Sequence, residues 1–309
     1  MTGPIQVMVN GLKGKMATSI AQAIYTDPKG KAFCNSLHQE PDYEFDLLSL
    51  SLTGPETKAN EIDGTLPNSI VSLRFLTLRF EQQRIMLIKP DERGQLPGLL
   101  TESGLIPSSI IAVDYTRPDA VNSNAELYCS LGMPFVMGTT GGDRPKLEET
   151  VKNSKIPAVI APNMTKQIVV FQAMMQYAAE TFPGAFRGYR LKIRESHQTG
   201  KADTSGTAKA MVQYFNQLGI PFTTDQIEMV RNPCEQMMLG VPKEALSGHG
   251  WHTYTLLSED GNVLFQFTHN VNGREPYVSG TLDAIRFLHT KVEAGEKGLY
   301  TMINVAKGK

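Results

Sequence analysis

Strand-like and helix-like runs take turns through the first half of the chain, and this alternation restricts the fold more than any other feature of the sequence. Short runs rich in β-branched and aromatic residues stand at Ile5–Val9, Asp46–Leu52, Ile70–Leu78, Arg84–Lys89, Ile110–Thr116, Pro134–Thr140 and Ala158–Asn163. Between several of them apolar residues recur at helical spacing: Met16, Ile20, Ala23 and Ile24 behind the first run, then the segments Ala120–Leu131 and Pro145–Asn153. Parallel strands need long crossovers, and helices supply these while covering both faces of the sheet. The pattern predicts an α/β fold with a doubly wound parallel sheet over residues 1–162.

The pattern changes after Asn163. A helical segment over Gln167–Thr181 leads to the strand-like YRLKIRES, a polar loop, and a helix carrying Ala208, Met211, Phe215 and Leu218 that Gly219 closes. DQIEMVR, WHTYTLL and NVLFQFTHNV then follow as strands, the last two separated by Ser258-Glu259-Asp260-Gly261, a hairpin signal. Strands in succession indicate a second, α+β domain over 163–275 with a mostly antiparallel sheet, expected to bind substrate and to oligomerise. In GTLDAIRFLHTKV, Leu282, Ile285, Leu288 and Val292 share one helix face, so 276–309 is expected to return to the first domain. No repeat or low-complexity stretch interrupts this plan.

Two domains suit 309 residues that are 41% hydrophobic and 20% charged. With 30 basic and 31 acidic side chains there is no general attraction to nucleic acid or an anionic membrane, and a small-molecule substrate is expected. Cys34, Cys129 and Cys234 form no CxxC pair, which suits a reducing compartment. The apolar windows, IVVFQAMM among them, are far shorter than the roughly 20 residues a membrane helix needs. The start, MTGPIQVMVNG, runs almost directly into a strand and leaves no room for a signal or transit peptide.

After the first strand the chain reads Asn10-Gly11-Leu12-Lys13-Gly14-Lys15-Met16. A glycine turn there lets the backbone approach a pyrophosphate, which the N–H groups opening the next helix receive. G-x-G-x-x-G is incomplete, because Lys13 follows Leu12 and position 17 is Ala, so an ordinary turn without a ligand stays open; Met16 after Gly14-Lys15 disfavours a P-loop. Two further strand ends, Gly138-Thr139-Thr140-Gly141-Gly142 and Ala161-Pro162-Asn163, lie where ligands of such sheets bind, and together the three ends favour a Rossmann-like dinucleotide-binding domain. The second strand ends in Ser49-Leu50-Ser51-Leu52-Thr53-Gly54, with no carboxylate until Glu56, which favours NADPH over NADH.

The polar loop reads ESHQTGKADTSGTA, Glu195 to Ala208. Ser205 is a candidate N-cap, and Gly206 and Thr207 would offer donors to a carboxylate at the helix start. Upstream, His197 can pass a proton near neutral pH, and Lys201 can donate one or bind a carboxylate. A solvated loop remains the plainer account of this stretch alone. A serine-hydrolase triad of His197, Asp203 and Ser205 lacks a G-x-S-x-G elbow. His38, His249, His252, His269 and His289 show no metal spacing, His249 and His252 are expected as strand or sheet-edge residues, and no metal is expected.

That loop resembles the signature loop of the dihydrodipicolinate reductases, in the form of the plant-type branch. VNGLKGKM, VDYTRP, MGTTGG, APNMTKQIVVFQ, SGHGWHTYTL, FTHNVNGR and GTLDAIRFL are similar to family landmarks in the same order, with the least support between about residues 26 and 106. The resemblance implies NAD(P)H-dependent reduction of the dihydrodipicolinate synthase product on the diaminopimelate route to lysine. It implies His197 and Lys201 as acid groups, and Gln198, Ser205, Gly206 and Thr207 as binders of a dicarboxylate substrate. It gives Gly11, Leu12, Lys13, Gly14, Lys15, Met16, Thr116, Gly138, Thr139, Thr140, Ala161, Pro162, Asn163 and Met164 to NADPH or NADH. Gln198 stands where bacterial relatives carry histidine and brings an amide without charge; Ala17, in place of glycine, sets a methyl group near the turn. The resemblance further implies a homo-oligomer, dimer or tetramer, in the plastid stroma if plant-type and otherwise cytoplasmic. A reductase of another small carboxylated imine and a non-catalytic NADPH-binding regulator are the alternatives.

Overall fold

The computed structural model describes residues 3–26, 44–57, 76–80 and 83–308. From the N-terminus the elements are β1 (Ile5–Asn10), α1 (Lys15–Thr26), β2 (Phe45–Leu47), β3 (Leu50–Leu52), β4 (Leu76–Phe80), β5 (Gln83–Ile88), α2 (Leu96–Glu102), β6 (Ile110–Asp114), α3 (Val121–Leu131), β7 (Phe135–Met137), α4 (Arg144–Lys152) and β8 (Pro157–Ile160). There follow α5 (Lys166–Thr181), β9 (Arg190–His197), α6 (Gly206–Gln217), β10 (Glu228–Val230), α7 (Pro233–Met238), β11 (His249–Leu257), β12 (Leu264–Asn272), α8 (Glu275–Glu293), β13 (Gly298–Tyr300) and α9 (Met302–Lys307). Contacts divide the chain into two units, Met1–Lys166 with Tyr277–Lys309, and Gln167–Pro276.

The first unit is built on a six-stranded sheet ordered β13-β8-β7-β6-β1-β2 with every neighbouring pair parallel. Val7, Met8 and Val9 in β1 and all of β6 are buried, as strands covered on both faces must be. Met8, Ala112, Tyr128, Phe135, Leu147 and Val151 belong to one core cluster. Helix α8 is buried without interruption from Val278 to Leu288, and a Cβ on Gly280 would fall 1.6 Å from the Met164 carbonyl oxygen, so only glycine permits that approach. β2 lies on one side of β1 and the later strands on the other, which places the reversal of strand order between β1 and β6, where such sheets bind ligands.

The run Asp46–Leu52, expected as one strand, is two. Leu48 N still donates to Val7 O at 2.9 Å, whereas Ser49 O accepts from Met86 N at 2.8 Å, so the chain changes partners between these residues. β2 stays beside β1, and β3 joins a separate sheet ordered β3-β5-β4. Of the expected Ile70–Leu78 strand, residues 70–75 lie outside the described residues and β4 begins at Leu76.

The second unit carries a four-stranded sheet, β10-β9-β11-β12, antiparallel except for β10 with β9. Ile193, Tyr254 and Leu256 pack beside Met175 of α5 and Ala208, Met211 and Phe215 of α6 in one apolar cluster. At the other end of the same face the register sets Glu195, His252 and His269 opposite one another across three strands. The hairpin joining β11 and β12 is closed by Ser258 N donating to Val263 O at 2.9 Å.

Candidate active site

Beyond Asn10 the chain turns through Gly11–Gly14 into α1. Gly11 has a φ of 95°, and a Cβ there would lie 2.3 Å from the Tyr115 carbonyl oxygen, so the turn runs against the end of β6 with room for hydrogen only. Lys13 also occupies the left-handed region, φ 72°, at a cost of roughly 1–2 kcal/mol for a residue with a Cβ. Gly11 to Gly14, Thr53 to Thr57, Arg93 and Tyr115 to Arg117 line a cavity of about 630 Å³, a size common for cofactor sites. A turn with no space for a Cβ, opening directly into a helix, fits a dinucleotide pyrophosphate. Lys15 is exposed and Met16 half-buried on the first turn of α1, outside this wall. Ala17, on the first turn of α1, is fully buried.

A buried carboxylate organises the strand ends around that cavity. Asp114 Oδ1 accepts from Thr116 N (3.0 Å), Thr116 Oγ1 (2.7 Å) and Thr139 Oγ1 (2.7 Å), and Oδ2 accepts from Asn124 Nδ2 and Tyr128 OH, both at 2.8 Å. Tyr128 OH in turn accepts from Asn10 Nδ2 at 2.9 Å, and Asn10 Oδ1 accepts from Leu52 N at 2.8 Å. Such a charge is tolerable only when its lone pairs are filled, and filling them ties together the ends of β1, β3, β6 and β7. Thr116 lines the cavity, yet its N–H and hydroxyl, like the Thr139 hydroxyl, are spent on Asp114.

Gly138 and exposed Thr140 flank Thr139 beyond β7. At the end of β8, Ala161 is buried and Pro162 exposed, while Asn163 Oδ1 accepts from Thr165 N at 2.9 Å just ahead of α5. Met164 is buried, its carbonyl against Gly280.

In the second unit β9 ends at His197, and Arg231 fastens the loop that follows. Its Nη2 reaches Glu195 Oε1 at 2.6 Å and Asp203 O at 3.3 Å, and its Nε donates to Lys201 O at 2.8 Å. Glu195 is fully buried and its other oxygen accepts from Ser205 N at 3.0 Å. Burial works against its charge, but His252, Arg231 and the Ser205 N–H outweigh it and hold the carboxyl at about 2. Ser205 occupies the N-cap position of α6 without a side-chain cap bond, and Gly206 and Thr207 open the helix. Lys201 Nζ donates to Asp203 Oδ1 at 2.6 Å, and Gln198 is half-buried with its carbonyl accepting from Lys201 N at 2.9 Å.

His197 pairs through Nδ1 with the His249 carbonyl at 3.0 Å, which makes Nδ1 the protonated nitrogen and leaves Nε2 as a buried acceptor with no partner among the described residues. Burial, reinforced by His252, pushes its pKa down to about 4. His249 is fully engaged, Nε2 with Ser196 Oγ at 2.7 Å and Nδ1 with Ala245 O at 3.1 Å. The triad of His197, Asp203 and Ser205 does not exist, since Asp203 pairs with Lys201 and His197 with a carbonyl.

His249 and His252 are strand residues, as expected, both on β11, which is an interior strand; the ring centroid of His252 lies 5.1 Å from that of His197 and 4.7 Å from that of His269. Glu195, His197 and His252 also bring potential metal-ligand atoms within 4.8 Å of one another, a grouping that spacing along the chain does not show because β9 and β11 meet only through the sheet. Sequence reasoning likewise missed Asp114, although VDYTRP marked its strand end, and Arg231, which follows an apolar strand with no motif around it.

Residues 99–164 match the family model described as dihydrodipicolinate reductase, N-terminus, and residues 167–306 match the one for its C-terminus. The chain is 45% identical over 278 residues to the probable 4-hydroxy-tetrahydrodipicolinate reductase 1, chloroplastic, of Oryza sativa subsp. japonica, covering 86% of this chain and 80% of that one. It is 42% identical over 305 residues to the chloroplastic 4-hydroxy-tetrahydrodipicolinate reductase 1 of Arabidopsis thaliana, covering 98% and 78%. The solved dipicolinate-bound dihydrodipicolinate reductase from Paenisporosarcina sp. TG-14 shares the fold with a TM-score of 0.56 at 17% identity, over 96% of this chain and 97% of that one. With these likenesses spread over both units, the chain belongs to the dihydrodipicolinate reductase family.

Proposed function

We propose that the protein reduces 4-hydroxy-tetrahydrodipicolinate, with loss of its hydroxyl as water, or the dihydrodipicolinate formed from it by that loss, to tetrahydrodipicolinate in lysine biosynthesis by the diaminopimelate route. The observation that carries this reading is the loop after β9, where an ammonium group, an imidazole and a helix start are held together by Arg231 and Glu195. Gly11–Gly14 and the opening of α1 would hold the pyrophosphate of a nicotinamide cofactor, which when bound supplies the hydride. Lys201 is the proton donor to the reduced ring. His197, neutral in the free protein and presenting Nε2 as an acceptor, takes up a proton as the substrate carboxylates arrive. Gly206 and Thr207 offer backbone N–H groups that have no partner inside the helix, with the Ser205 and Thr207 hydroxyls beside them, and these hold one carboxylate. The Gln198 amide donates to the same dicarboxylate.

The cofactor in this proposal is NADPH. Lys13, Arg93 and Arg117 line the cavity against the acids Glu56 and Asp119, and Glu56 is neutralised by Arg117 at 2.9 Å. Thr53 and Thr57, their hydroxyls 2.9 Å apart, stand at the tip of β3 where an NAD-selective site carries an acid. The chloroplastic names of the plant relatives support a plastid stroma. The outer face of the second unit's sheet, with Trp251, Thr253, Gln266 and Thr268 around a hollow of about 340 Å³, is the surface for pairing with further copies as a dimer or tetramer.

The test is NADPH absorbance on addition of substrate generated by dihydrodipicolinate synthase. Oxidation matched to tetrahydrodipicolinate formed supports the reading; NADPH binding without turnover would make the protein a regulator, and turnover only of another carboxylated imine would move it to a different reductase.

A further inference from the structure

Three imidazoles and a carboxylate meet on the inner face of the second unit's sheet, and substrate binding by the loop does not account for all of them. Glu195 and His197 are two residues apart on β9 and therefore project to the same face. His252, on β11, stands directly opposite Glu195 in the register. His252 is only 4% exposed. His197 Nε2 and His252 Nδ1 have no partner among the described residues, and His252 Nε2 meets the Glu195 carboxylate only across 3.7 Å, an arrangement that is costly unless something occupies the space between them.

We propose that Glu195, His197 and His252 form a site for a zinc-like divalent cation, and that filling it switches the enzyme off by consuming the free nitrogen of His197. Two imidazoles and one carboxylate are a common zinc donor set and leave a fourth position open. Metal-bound histidines usually donate their other N–H to a carbonyl or carboxylate, and His197 already does so through Nδ1 to His249 O at 3.0 Å. Glu195 Oε2 faces His252 Nε2 at 3.7 Å and also accepts from Ser205 N, while Arg231 holds Oε1, so the carboxylate is fixed in place. The candidate donor atoms lie within 4.8 Å of one another, so ligation at about 2.0–2.2 Å requires side-chain shifts on the order of an ångström. Arg231 offsets part of the carboxylate charge and weakens the site, which suits reversible occupancy. Imidazole donors select zinc, copper or nickel over magnesium.

The switch, though not the metal site, rests on the reading of His197 as a working residue. The experiment titrates the full-length protein with Zn²⁺ by calorimetry and with Co²⁺ by visible absorption, in wild type, His252→Gln, His197→Gln and a triple Cys→Ser variant, with circular dichroism as the control for folding. One ion per chain, a tetrahedral cobalt spectrum, and binding weakened by more than about 100-fold in either histidine variant, beyond the loss of an outer partner, support the site. Binding that survives both histidine substitutions, vanishes with the cysteines, or never forms overturns it. NADPH oxidation is then followed across the same Zn²⁺ range: inhibition with the midpoint of binding supports the switch, and full turnover by the metal-loaded protein overturns the switch while leaving the site standing.

Discussion

Replacing Arg231 with methionine removes the guanidinium that, among the described residues, fixes the loop to the sheet, and leaves Glu195 charged in a fully buried position. Breaking a buried ion pair by deleting one partner costs about 3–5 kcal/mol. The Arg231 side chain is 17% exposed and Glu195 is not exposed at all, so water reaches the cation more easily than the anion and the lower end, about 3 kcal/mol, applies. The carbonyls of Lys201 and Asp203 that Arg231 also binds lie in an accessible loop and regain hydrogen bonds from water, so they add little. Most of the loss is therefore an unpaired carboxylate. Adding Glu195→Gln to Arg231→Met should restore at least half of it, which makes the two substitutions strongly non-additive. Urea unfolding monitored by circular dichroism gives the stabilities, and steady-state kinetics should show KM for substrate raised and kcat lowered as residues 198–205 lose their anchor. A single variant that loses under about 1 kcal/mol, or a double variant no more stable than Arg231→Met, would refute the reasoning.

The buried histidines set the acid stability. Burial, with His252 as a further cause, pushes His197 to about 4 and His269 to about 3, so below the ordinary imidazole range the unfolded chain takes up protons that the folded chain refuses. Stability then falls with falling pH, approaching about 1.4 kcal/mol per pH unit for each group, and urea midpoints at pH 7 and pH 5 measure the slope. Glu195 acts in the same direction at lower pH: its contribution is present above the ordinary carboxylate range and is lost as pH falls toward 2. In nitrogen-detected spectra, His197 should appear as the Nδ1–H tautomer at neutral pH and move toward the imidazolium when pyridine-2,6-dicarboxylate is added. Asp114→Asn turns an acceptor of five donors into a group that donates itself, and leaving one or two donors unmet should cost about 1–3 kcal/mol each and weaken NADPH affinity, measured by fluorescence titration.

Sequence periodicity sees what lies along one element. It read β1, β6, α3, α4 and α5 within a residue or two, because buried strands and amphipathic helices write their pattern locally. It ran straight through Leu48 and Ser49 because the apolar pattern continues while the pairing partner changes from β1 to β5. The loop from Glu195 to Ala208 was legible as chemistry, since His197, Lys201 and Ser205–Thr207 fall within a dozen residues of one another. Its supports were not. Arg231 lies 36 residues from Glu195, and Asp114 draws donors from positions up to 25 residues away, distances that only the folded sheets close. His252 was visible as an alternating strand residue, but its place opposite Glu195 depends on the register of β11 with β9. Polar loop residues announce themselves by type, and the buried charges that position them do not.

The central claim, that Lys201 delivers the proton completing reduction of a cyclic dicarboxylate, is tested most directly by NADPH oxidation in Lys201→Met on synthase-generated substrate. The expected result is turnover about 10²–10⁴-fold below wild type with NADPH affinity unchanged. Wild-type turnover in that variant would contradict it.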